Sequence, residues 1–92
     1  MNSTAQARVN DAAEFPTYRA VVAHVTGGLD GVLRVVTLLR GRVYRVRDLE
    51  VEVREGVVES RVGCTALLTS GEIEMLLARL RRMPSVVSAE HG

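Results

Sequence analysis

The sequence predicts an α+β domain of βαββαβ order, with one four-stranded antiparallel sheet and two helices on one face. Three observations predict it. Strand-like apolar runs cover Tyr18–Val25, Val43–Arg54, Val57–Leu68 and Val86–Glu90, the second of them with apolar and charged residues in alternation. They recur at helical spacing over Val32–Leu39 and Ile73–Met83. Gly41, Glu55-Gly56 and Pro84 punctuate these runs where turns are needed.

Met1 to Pro16 is polar and alanine-rich with no sustained apolar period, and reads as a disordered or partner-ordered tail. The domain occupies residues 17–92. In the first strand Val21, Ala23 and Val25 share one face, and Ala20, Val22 and His24 the other. Both faces are mostly apolar, which places this strand centrally. Asp30 is expected to cap the first helix, with Gly31 as its first residue. Val32, Val35, Val36 and Leu39 form its stripe, and Leu33 and Leu38 widen it. Valine is a mediocre helix former, so packing must hold this helix. Gly41 ends it.

In the second strand Leu49, Val51 and Val53 face one way, and Asp48, Glu50, Glu52 and Arg54 the other. This alternation describes a strand with one wet side near a sheet edge. Glu55-Gly56 turns it into the third strand, whose inward set is Val58, Ser60, Val62, Cys64, Ala66 and Leu68. Thr69-Ser70-Gly71-Glu72 matches the capping-box pattern. The helix it opens puts Ile73, Leu76, Leu77, Leu80 and Met83 on one side, and Pro84 stops it. The whole is a split βαβ, ferredoxin-like arrangement.

Composition narrows the function. A chain of 92 residues makes one domain. So small a domain buries only about 60% of the surface its unfolded chain exposes, and self-association or docking is expected. Net charge is +1 with acids and bases interleaved, which offers no basic patch for nucleic acid or anionic membrane. All twelve basic residues are arginine, which excludes a Schiff-base or P-loop lysine. Cys64 is the single cysteine and reads as a core residue. No apolar run approaches about 18 residues and no signal peptide is visible, so a cytoplasmic location is expected.

Rival functions on this fold fail on residues. RNA recognition needs aromatics on the central strands, and only Tyr18 at a strand end is offered. The loop after the first strand, Thr26-Gly27-Gly28-Leu29-Asp30, has no cysteine pair for a metal carrier. Arg19 lies too far inside its strand for a phosphate cradle. His24 reads as structural and His91 as solvated. Glu50, Glu52, Glu55 and Glu59 read as a solvated face and turn. No catalytic constellation, metal site or cofactor is expected. One stretch stands out: Gly28-Leu29-Asp30-Gly31-Val32-Leu33, a tight strand-to-helix turn whose free backbone N–H groups can hold an anion such as a carboxylate.

With this order and this turn, residues 18–91 resemble an ACT domain, the amino-acid-sensing regulatory module. Within that superfamily the chain is most similar to the small regulatory subunit of acetolactate synthase, in its short single-domain form. The resemblance is carried by Gly28 to Val35, by Arg42-Val43-Tyr44-Arg45-Val46 and by Leu77 to Val87. Gly31, Val32, Leu33, Arg42 and Tyr44 match in kind. Gly28, Asp30 and Arg45 stand where valine-sensitive members have Asn, Pro and Asn. The resemblance therefore implies a non-catalytic partner that activates a catalytic large subunit, more than a valine sensor. The alternative is a free-standing dimeric sensor of some other amino acid. It implies a homodimer, with Gly28, Leu29, Asp30, Gly31, Val32, Leu33 and Arg45 at an effector site or interface. Arg45 of the same or the neighbouring copy is expected near the turn, pairing with Asp30 to close the pocket in preference to clamping an effector carboxylate.

Overall fold

The computed structural model describes residues 14–41, 44–56 and 58–92. Strand β1 (Thr17–Val25) leads into helix α1 (Gly28–Gly41). Strands β2 (Arg45–Glu52) and β3 (Ser60–Leu68) follow, then helix α2 (Ser70–Arg81) and strand β4 (Val86–His91). The expected strand starts at Val43 and Val57, and the tail over residues 1–13, lie outside the described residues. The sheet order is β2-β3-β1-β4, and every pairing is antiparallel. This is the ferredoxin-like α+β arrangement that the periodicities predict.

The core forms where the apolar faces meet. Val21, Ala23 and Val25 of β1 are buried with Val62, Cys64, Ala66 and Leu68 of β3. Val32, Val35 and Leu39 of α1 and Ile73, Leu76, Leu77 and Leu80 of α2 close over them. Burial pushes the Cys64 thiol pKa up, which leaves it an unreactive core group. Helix α2 starts on a complete capping box. The Glu72 N–H donates to Thr69 Oγ1 at 3.2 Å, and the Thr69 N–H donates to Glu72 Oε1 at 2.8 Å.

Ser60, inward on β3, is fully buried yet satisfied. Its hydroxyl accepts from the Arg54 N–H at 2.8 Å and donates to the Arg54 carbonyl at 3.1 Å. One serine thereby closes the neck of the β2–β3 hairpin. Before β1, Glu14 ties the chain down. Its carboxylate accepts from the Ser70 N–H and hydroxyl at the start of α2, and from Arg19. Arg19 also donates to the Leu68 carbonyl at 3.0 Å, so its guanidinium is engaged in holding β1 to β3.

Four details depart from the sequence reading. Helix α1 begins at Gly28, so Asp30 sits in its first turn and is not its cap. Gly27 and Gly28 take the left-handed backbone (φ +87° and +56°), which turns the chain into the helix before Asp30 is reached. Val58 precedes β3 and is 46% exposed, because the ladder ends at Ser60 opposite Val25. Leu33 is 49% exposed and does not widen the buried stripe. Finally, β2 does not alternate strictly. Its register skips Arg47, a bulge that puts Val46 on the same side as Leu49 and Val51. That side is not covered, because α1 packs on β3 and β1 while α2 packs on β4, β1 and β3. Every residue of β2 is consequently exposed.

Candidate functional site

The strand-to-helix turn lies at the sheet end formed by Val25, Ser60 and Val86. Thr26 fastens it to the loop before β4, where its N–H donates to the Ser85 carbonyl at 2.8 Å. Gly31 carries the tightest requirement. A β-carbon there would collide with the Thr26 carbonyl oxygen, so the first turn of α1 packs directly on the chain leaving β1. Gly28, Gly31 and Val32 are buried and build the turn. Leu29, Asp30 and Leu33 are exposed beside it. Val32 belongs to the core and lines no surface. Leu29 and Leu33, four residues apart, present two apolar side chains to solvent along α1.

The unforeseen participant is Glu55. Its carboxylate rests against Gly28, in the space that a β-carbon would take. The topology held the signal for this. The β2–β3 turn precedes Ser60, and Ser60 pairs with Val25, so Glu55-Gly56 must emerge beside the β1–α1 turn. With Asp30, Glu55 brings a second carboxylate to the positive end of α1. Two negative charges at this end of the helix repel a ligand carboxylate.

Arg45 is not part of this cluster. It begins β2 opposite Leu67, which faces Tyr18 on β1. From there to Val25 is seven residue steps, roughly 23 Å along a strand. Arg45 and Asp30 of one chain therefore lie at opposite ends of the sheet, and the expected ion pair within one copy does not form. The sequence could not show this, because the separation follows from the hairpin register.

The sheet face away from the helices carries rows of side chains across the strands. One row runs Glu52, Arg61, His24 and Ser88. His24 Nδ1 lies 3.3 Å from Ser88 Oγ, and the pair is partly buried, consistent with a structural histidine. His91 reaches Glu74 of α2 at 3.0 Å. Tyr18, the aromatic at the end of β1, is covered by the Arg47 guanidinium 4.2 Å from its ring centre. The guanidinium takes one face of the ring, and Tyr18 remains half exposed. Among the described residues, no helix is long and apolar enough to cross a membrane.

No family model matches the chain, and no curated protein matches it.

Proposed function

We propose that this protein is the non-catalytic, activating small subunit of an acetolactate synthase-like thiamine-diphosphate enzyme in branched-chain amino-acid biosynthesis. It acts in the cytoplasm as a homodimer and brings no cofactor of its own. The reading rests on the resemblance over Gly28–Val35 and Arg42–Val46 and on the βαββαβ order. The observation that favours an activator over an amino-acid sensor is the Glu55 carboxylate against Gly28. A sensor of valine, leucine or isoleucine must accept the effector's carboxylate, and here Glu55 and Asp30 oppose one. An activator needs only a surface. Leu29 and Leu33, exposed beside the turn, offer an apolar contact to a catalytic partner.

The test is reconstitution with a catalytic large subunit. Acetolactate formation from pyruvate should rise when this chain is added, and the two chains should co-elute. No complex and no change in rate would overturn the proposal. In parallel, melting curves with valine, leucine and isoleucine should superimpose on the ligand-free curve. A ligand-dependent rise in melting temperature without any partner would favour the free-standing sensor.

A further inference from the structure

We infer that Phe15 anchors a two-fold homodimer in which each copy seats this ring in an apolar groove of the other, between α1 and β2. The inference rests on the homodimer of the reading above and names the contact that holds it. Three observations carry it.

The first is how Phe15 is presented. It is the only phenylalanine of the chain, and it is 85% exposed. Its backbone is nevertheless held on both sides. The Glu14 carboxylate before it accepts from the Ser70 N–H and hydroxyl and from Arg19, and Thr17 after it already pairs with Leu68. Pro16 fixes its own φ and confines the residue before it to extended backbone. A ring held out on a preorganised backbone loses little freedom on binding. An aromatic side chain of this kind buries about 150–250 Å² when it finds a seat.

The second is a seat of matching chemistry on the same chain. A groove of ≈ 390 Å³ runs between α1 and the helix side of β2, lined by Val36, Leu39, Arg40, Tyr44, Val46 and Leu49. All but Arg40 offer apolar or aromatic surface, and Val46 and Leu49 are exposed along it. The chain's own Phe15 does not fill it. Strand β3 lies between β1 and β2, which sets those two strands about 9.5 Å apart. Glu14 holds the chain ahead of β1 at the start of α2. The ring must come from elsewhere, and a second copy supplies one.

The third is placement. Thr17 pairs with Leu68 and Val46 with Ala66, so ring and groove lie at the same end of the sheet. A two-fold axis at that end makes the exchange reciprocal, and a reciprocal exchange closes at two copies. Charge agrees with it. Exposed Glu72 stands at the start of α2, where Glu14 is bound, and exposed Arg40 lines the groove. The β1–α1 turn lies at the opposite end, beside Val25, so Leu29 stays free for a catalytic partner.

Sedimentation velocity on the full chain tests this. Phe15→Ala should weaken the dimer by about tenfold or more, and Phe15→Leu, which keeps apolar bulk, by less. Val46→Glu puts a charge into the groove and should weaken the dimer comparably. Both positions are exposed, so the variants should fold, and circular dichroism checks that. An equimolar mixture of the two variants separates exchange from a general loss. Phe15→Ala keeps an intact groove and Val46→Glu an intact ring, so a heterodimer has one working seat where each homodimer has none. The mixture should therefore associate more tightly than either variant alone. A native monomer at high micromolar concentration, a dimer indifferent to Phe15→Ala, or no recovery in the mixture would each overturn the exchange. So would a Phe15→Ala dimer of native strength that no longer co-elutes with a catalytic subunit, which would assign the ring to that partner. Acetolactate formation is read separately. A monomer that still raises it overturns the exchange and leaves the activator standing, whereas recovery in the mixture without any rise in rate supports the exchange and counts against the activator.

Discussion

The Glu55 carboxylate occupies the space above Gly28 that the β-carbon of any other residue would need. Gly28 also has a left-handed backbone, which penalises an L side chain by about 1–2 kcal/mol. Gly28→Ala should therefore lower unfolding free energy by at least that amount, measured by urea denaturation. In a Glu55→Ala background the loss should shrink toward the backbone term. Gly41→Ala is the control. Among the described residues nothing lies within 4 Å of its β-carbon position, and its φ is not left-handed, so it should stay within about 0.5 kcal/mol of the parent.

Gly31→Ala should be the more damaging change. The atom in its way is the Thr26 carbonyl oxygen, which belongs to backbone and cannot swing aside as Glu55 can. Overpacking of this kind costs about 1–3 kcal/mol, and the upper end is expected. Equal stabilities for the Gly28→Ala and Gly31→Ala variants would show that α1 can move off the end of β1.

Ser60 and Arg54 make the next test. Ser60→Ala leaves the Arg54 N–H and carbonyl without their partner at the hairpin neck. The loss should be about 1–3 kcal/mol if both groups stay dry. Ser60→Thr keeps the hydroxyl and should retain more of the stability than Ala. Amide exchange at Arg54 should accelerate in the Ala variant and identify the bond directly.

These residues also show where the sequence was readable. Element order, the inward face of β1, that of β3 from Ser60 onward, and the capping box at Thr69 follow from short-range periodicity and local chemistry. They appear in the structure as expected. The departures are non-local or backbone-borne. The bulge at Arg47 depends on how β2 and β3 align, and no periodicity in β2 alone contains it. The early start of α1 depends on two successive glycines with positive φ. For the candidate site, the turn itself was visible in Gly28 to Leu33. Its neighbours were not, because Glu55 arrives and Arg45 is carried away only through the hairpin register.

Helix α2 supplies the next prediction. Leu77 and Leu80 are 1% exposed and lie at the centre of the core. Leu77→Ala and Leu80→Ala should each cost about 2–5 kcal/mol in urea unfolding. Met75 on the same helix is 59% exposed, and Met75→Ala should change stability by less than about 0.5 kcal/mol. Reversal of this ranking would mean that α2 is rotated on the sheet.

Glu14 gives the chain a pH-dependent fastening. Hydrogen bonds from the Ser70 hydroxyl and N–H, joined by Arg19, hold its carboxyl below the ordinary glutamate value, and desolvation only partly opposes them. The folded pKa is depressed, so the anion's contribution to stability is present above the unfolded pKa, about 4.3. It is lost as pH falls through the lower folded value, when the protonated carboxyl can no longer accept these bonds as an anion. Glu14→Gln should accordingly lower the urea midpoint at neutral pH. The gap between the two proteins should hold down to about pH 4.3 and close below it. Comparison with the variant isolates Glu14 from the other carboxylates, which titrate in both proteins alike. A gap that stays constant through the acid range would show that shape, and not charge, holds Glu14 at the start of α2.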